Sequence, residues 1–228
     1  MSLTRVKNIT TNLGISQANP DAEIHVSTVR PHIDIEDTAA GTRAKIGSGY
    51  ANMYLAATSS GGEIIFKNNV GSSDFPHSSG TTLMTIGASG YITNPLQPAF
   101  NATRTSGQTI SGTVTLVFNS VRSNASNSYN SSNGYFTAPI SGQYLFTFKS
   151  LFYAFDTSEY LDLYSYVNST IRNRYEQTGN GGGHTQINYA EIVYLNANDT
   201  FRLVCSDRNT GSYAMYANEN HFSGRLLG

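Results

Sequence analysis

At 228 residues the chain is long enough to bury a core, and a formal net charge of −1 with no Lys/Arg cluster argues against a nucleic-acid partner. Only 13% of residues are charged and 39% are hydrophobic, but 15 Tyr and 11 Phe supply core area at ~150–250 Å² each, which sets the chain apart from highly charged disordered sequences. No apolar run approaches the ~18 residues of a membrane span and no basic amphipathic stretch is present, so membrane insertion is not expected.

The first residues, Met1 to Asn8, lack the apolar core of a signal peptide. The Asn-x-Ser/Thr sequons at Asn8, Asn101, Asn124, Asn130, Asn168 and Asn198 are therefore read as unmodified. Val6, Ile9 and Leu13 carry the only helix-like spacing, too short to stand alone. Short strands flanked by glycine are predicted over Glu23–Val29, Ile33–Glu36, Ala51–Ala57, Glu63–Lys67, Thr81–Ile86 and Gly90–Thr93. Each offers little apolar area, which points to burial against neighbouring chains. Pro95 and Pro98 interrupt regular hydrogen bonding and mark a hinge at 95–98, dividing a β-rich segment at 1–94 from a second domain at 99–228.

Beyond the prolines the strands lengthen and become aromatic, and period-2 alternation dominates. Val114, Leu116 and Phe118 alternate with threonines and Val117. Tyr144, Phe146 and Phe148 share one face of the next run. Leu161, Leu163 and Val167 face one way, with Tyr160, Asp162, Tyr164 and Tyr166 the other. Ile187, Tyr189, Val193 and Leu195 continue the pattern, followed by Phe201, Leu203 and Cys205. Clusters at Ser123–Asn133, Thr178–His184 and Asp207–Tyr213 separate these runs, the layout of a sandwich or jelly roll. Cys205 sits at an alternate position of an apolar run and reads as a buried, inert thiol.

Catalytic and metal signatures are weak. His25, His32, His77, His184 and His221 show no ligand spacing. Glu159 with Asp162, and Glu219 with Asp207, are the only carboxylate pairs that suit glycan hydrolysis, and solvated turn acids are the better reading. Asp156, Glu159, Asp199 and Asp207 lie near turns without an Asp-x-Asp-x-Asp-Gly loop, so no cofactor is expected and calcium stays open. The Gly179–Gly183 run lacks the lysine and helix of a phosphate cradle.

The stretch Gly134-Tyr-Phe-Thr-Ala-Pro-Ile-Ser-Gly-Gln-Tyr-Leu-Phe-Thr-Phe148 resembles the core motif of C1q-type domains. Phe118, Asn124 and Tyr129 precede it at the family's spacing. Tyr194-Leu-Asn-Ala-Asn-Asp-Thr-Phe201 and the ending Phe222-Ser-Gly-Arg-Leu-Leu227 are similar to two later family blocks. Asn198 departs from the glycine often found there, a place where Asn enters the left-handed region more readily than most residues. The resemblance spans roughly Gln97–Gly228 and implies an all-β, C1q/TNF-like jelly-roll head that assembles as a homotrimer. In the N-terminal part, Leu13–Val26, Gly41–Gly47, Glu63–Asn69 and Leu83–Thr93 are similar to phage tail-fibre and viral fibre segments, which implies a glycine-rich β shaft or attachment domain.

Together these resemblances imply a non-enzymatic trimeric fibre protein on a virion, with a head that binds a host cell-surface glycan or protein and an N-terminus able to dock on another virion protein. A capsid-fibre or capsid-decoration protein and a glycan-hydrolysing fibre are the alternatives. Receptor-binding candidates are Arg208, Tyr213, Tyr216, Asn218 and Asn220 in one stretch, and Arg174, Tyr175 and His184 in another. Rigid aromatics among adaptable polar groups on loops are the composition of binding surfaces.

Overall fold

The computed structural model describes residues 32–37, 42–49, 52–57, 61–69, 80–155, 160–179, 183–208 and 213–228. The helix-like Val6–Leu13 spacing, the predicted strand at 23–29, the fibre-like phrase at 13–26, and His25, His77, Asp156 and Glu159 lie outside these residues. Among the described residues every regular element is a strand.

Strands β1 (His32–Asp37), β2 (Thr42–Gly49) and β3 (Asn52–Ala57) form an antiparallel sheet in that order. Strands β4 (Ile64–Asn68), β5 (Thr81–Ile86) and β6 (Ile92–Thr93) form a second sheet of three. The glycine-containing run of β2 was not among the strands expected from alternation, because Gly47 and Gly49 hide its period.

Residues 93–228 belong to one compact unit built from two facing sheets. Its strands in chain order are β7 (Ala99–Thr103), β8 (Gln108–Ile110), β9 (Thr113–Thr115), β10 (Ser120–Ala125), β11 (Tyr129–Asn130) and β12 (Tyr135–Thr137). Longer strands follow: β13 (Gly142–Phe155), β14 (Tyr160–Val167), β15 (Thr170–Thr178), β16 (Gly183–Leu195), β17 (Thr200–Asp207) and β18 (Tyr213–Leu226). The first sheet runs β10-β7-β18-β13-β16, with β8 on β18. The second runs β11-β12-β17-β14-β15, with β9 on β17. Mostly non-consecutive neighbours make this a jelly-roll sandwich, the fold that the motif spacing implied.

The core is the inward face of these alternations. Tyr144, Phe146, Phe148 and Phe152 of β13 are buried, as are Leu161 and Leu163 of β14 and Phe201, Leu203 and Cys205 of β17. Phe146 of one sheet lies flat on Phe201 of the other, with ring centroids 3.8 Å apart and planes 3° from parallel. Phe100 stacks on Tyr129 at 4.5 Å and meets Phe222 edge-on at 4.9 Å. Such pairs contribute ~0.5–1.5 kcal/mol beyond the area they bury.

Two glycines are required by space. A Cβ on Gly224 would sit 2.6 Å from the rings of Phe100 and Phe146, and one on Gly134, at φ +80°, would strike the carbonyl of Leu116. Asn198 adopts φ 72°, so the departure from glycine is absorbed by a left-handed asparagine, as expected. Leu116 and Phe118 are buried as anticipated but lie past the end of β9. Phe118 N donates to the Tyr129 hydroxyl at 3.0 Å and Val117 N to Gln108 Oε1 at 3.0 Å, so side chains replace the ladder there.

The chain enters and leaves the sandwich at one end. Leu226 N donates to Pro98 O at 2.9 Å, Gln97 Nε2 to Leu226 O at 2.9 Å, and Gln143 N to Gly228 O at 2.9 Å. The β13–β14, β15–β16 and β17–β18 connections all lie at the opposite, distal end, since β13 is antiparallel to both β16 and β18, and β14 to both β15 and β17.

Candidate functional site

The two candidate stretches reach the distal end, where the fold redistributes their residues between the two sheets. Arg174 of β15 and Arg208, just past β17, meet on the outer face of the second sheet over Asp162 of β14. Arg174 Nη2 donates to Asp162 Oδ1 at 3.0 Å, Arg208 Nε to Oδ2 at 2.8 Å, and the Tyr164 hydroxyl to Oδ2 at 3.0 Å. Glu176 accepts from both arginines. Asp162 points outward, as alternation requires, yet is buried because two guanidinium groups cover it. A buried carboxylate is tolerable only when paired in this way. Burial first, and the Asp162 hydrogen bond second, raise the Tyr164 pKa; the hydrogen bond to Asp162 raises that of Arg174.

The outward tyrosines of β14 are matched to arginines. Arg208 lies 5.8 Å over Tyr160 and Arg174 5.9 Å over Tyr164. Arg202 is held between Tyr166 at 4.5 Å and Tyr135 at 4.8 Å. This face is a guanidinium–tyrosine array whose distal charges are internally balanced.

The other candidates belong to the first sheet. The ring of Tyr216 packs 4.6 Å from Tyr153 and 5.5 Å from His184, so β18, β13 and β16 each supply one ring. Asn218 is exposed at φ 63°. Two candidates turn out to be interior. Tyr213 is buried, its hydroxyl donating to Tyr160 O at 2.6 Å and meeting Asp207 Oδ1 at 2.7 Å. Asn220 is buried with both ends of its amide engaged. Both lie at inward or ladder positions of β18, where composition alone suggests a loop. Tyr175 stays exposed, with its hydroxyl on Gln177 Oε1 at 3.1 Å.

Tyr153 was missed as a site residue, and Asp162 stood out in the sequence only as half of a carboxylate pair with Glu159. Tyr153 is out of phase with the buried positions of β13, which alone marks it as outward; its partners come only from the register that sets it between His184 and Ala214. Among the described residues no group of three His, Cys, Asp or Glu side chains is arranged to hold a metal ion. The Cys205 thiol is pushed up by burial and, secondarily, by Asp162, which makes it a poor nucleophile.

The outer face of the first sheet carries a separate surface near the entry end. Pairing aligns Ala99, Arg225, Leu145 and Ile192 in one row, and Asn101, Ser223, Thr147 and Ala190 in the next. Ile192 is 58% exposed and Tyr194, two residues on, 60%. The buried Asn101 Oδ1 in the second row has no hydrogen-bond partner among the described residues.

The family model for the C1q domain matches residues 99–227. No curated protein matches the chain. Among solved structures, the globular domain of zebrafish complement 1qA protein is 19% identical, over 58% of this chain and 98% of its own, with a TM-score of 0.45. Murine APRIL is 9% identical, over 57% and 99%, with a TM-score of 0.45. Eiger TNF from S. frugiperda is 12% identical, over 58% and 93%, with a TM-score of 0.44.

Proposed function

The chain belongs to the C1q domain family through residues 99–227, and from that premise we propose that it is the trimeric, non-catalytic receptor-binding component of a viral fibre. The head carries the binding surface at its distal end, and residues 1–94 form the shaft and dock on another virion protein. The receptor is a host cell-surface glycan or protein. One observation carries this reading: both candidate stretches reach the end of the sandwich opposite Pro98 and Gly228.

The trimer rests on the outer face of the first sheet. Ile192 and Tyr194 are exposed on it, and Asn101 Oδ1 is buried there without a donor among the described residues. A buried acceptor without a partner costs ~1–3 kcal/mol, which a donor from a second copy removes. Light scattering on the full chain should give about three times 24.7 kDa, and Ile192→Asp should shift it towards the monomer. A folded wild-type monomer at micromolar concentration would rule the trimer out.

The fibre assignment is tested by immunogold electron microscopy of intact particles and by saturable adhesion of the purified protein to host cells. Label at fibre tips together with adhesion is the expected result. Label spread evenly over a capsid, without adhesion, would replace this reading with a decoration role.

A further inference from the structure

Strand β18 does not run straight at the distal end. Ser150 pairs with Asn220 and Phe152 with Met215, so Leu151 alone faces Tyr216–Glu219. The excess residues arch out of the ladder, with Asn218 at φ 63°. Asn220 clamps the arch from beneath. Its Nδ2 donates to Tyr216 O at 2.6 Å and to Arg104 O at 3.1 Å, and its Oδ1 accepts from Arg104 N at 2.5 Å. Asn218 N donates to Arg104 O at 2.8 Å. Removing a buried amide that satisfies this many groups is costly, so the arch is a specified feature.

Tyr216 opens the arch, and its ring packs against Tyr153 and His184. Tyr153 is 38% exposed and His184 is exposed, so two of the three rings leave much of their surface in water. Beside them on the same face of β16 stand Gln186 and Asn188, both exposed, with Gln186 Nε2 donating to Asn188 Oδ1 at 3.2 Å. Flat aromatic surface edged by imidazole and amide groups, with no carboxylate among these five side chains, suits an uncharged polyol. Aromatic faces take the C–H face of a pyranose, while imidazole and amides can each donate to and accept from hydroxyls. The distal arginines offer no comparable site, since Asp162 and Glu176 already occupy Arg174 and Arg208.

We infer that Tyr153, Tyr216 and His184 form a stacking site for a neutral pyranoside, with Gln186 and His184 addressing its hydroxyls. The site deepens the proposed receptor-binding reading and rests on it. A galactoside is the best first probe, because galactose turns a contiguous run of C–H bonds to one face of its ring.

The experiment is saturation-transfer difference NMR on the full chain with lactose and with methyl β-galactoside, alongside adhesion of the same preparations to host cells. Tyr153→Ala and Tyr216→Ala, each first shown to keep the wild-type circular dichroism spectrum, should weaken sugar binding roughly tenfold. Tyr216→Phe, which keeps the ring, and Arg174→Ala, which lies on the other sheet, should bind as wild type. Absence of transfer to both sugars overturns the site, as does unchanged affinity in the folded alanine variants, even if cell adhesion persists and the receptor reading stands. Sugar transfer that follows the expected variant order without any cell adhesion supports the site and overturns the receptor reading.

Discussion

Strand β13 and strand β4 both carry phenylalanine in extended backbone, and the two side chains end differently. In β13, Phe146 is fully buried between the sheets, stacked on Phe201. In β4, Phe66 remains 40% exposed and its neighbour Ile65 48%. Ile46 and Leu55 of the β1–β3 sheet are likewise uncovered. β-propensity and alternation alone therefore do not decide whether a strand contributes stability; the opposing layer does. The head contains its own second layer, whereas the described N-terminal strands leave apolar side chains uncovered in the single chain.

The largest test of this difference is division of the chain. A fragment of residues 97–228 should unfold in one cooperative thermal transition, followed by circular dichroism, while a fragment of residues 1–94 should show none. A cooperative transition in the short N-terminal fragment would break the comparison. At the level of single residues, Phe146→Ala should cost about 3–5 kcal/mol in urea unfolding, through lost transfer energy and the cavity left behind. Phe66→Ser should stay within about 0.5 kcal/mol, as substitutions at exposed positions do. Equal costs would mean that β4 has a covering layer after all.

Gly224→Ala sharpens the comparison from the side of packing density. The added methyl must displace the Phe100 or Phe146 ring, and overpacking of this kind costs about 1–3 kcal/mol. Gly61 has open space around the corresponding position but a φ of +78°, so alanine there tests backbone strain without packing. Its cost should be the smaller, about 1 kcal/mol.

The finest test is titration. Burial, partly offset by the hydrogen bond from Phe118 N, pushes the Tyr129 pKa from 10.0 up to about 12. The folded value lies above the unfolded one, so the neutral phenol stabilises the head fully below pH 10. That contribution is lost as pH rises from about 10 towards 12. Tyr129→Phe should cost about 1 kcal/mol at neutral pH, because Phe118 N loses its acceptor. It should also flatten the alkaline fall in unfolding free energy, measured by urea titrations at several pH values. An unchanged alkaline slope would show that other tyrosines carry it.

Much of the head was legible in advance because its signals are local. The motif from Gly134 to Phe148 and the closing Phe222–Leu227 block identified a C1q/TNF-like jelly roll, and the split of β14 into Leu161 and Leu163 against Tyr160, Asp162, Tyr164 and Tyr166 was readable from period two. The candidate site was only partly legible. Tyr216 and His184 both read from the sequence as surface residues, but as members of separate loops. Tyr213 and Asn220 share the loop-like composition of their neighbours, yet are interior, because β18 begins at Tyr213 and resumes its ladder at Asn220 after the arch.

By itself the sequence determined which residues face the same way along each strand, where glycine or left-handed asparagine is needed, and that the aromatic content belongs to the second half. These follow from backbone geometry and steric rules that act over a few residues. Only the tertiary structure decided that Tyr153 meets Tyr216 and His184, that Asp162 is covered by Arg174 and Arg208, and that Asn220 clamps an arch over Arg104. Each of those contacts depends on strand register between segments far apart in the chain, and a shift of one residue would send every one of these side chains to the opposite face.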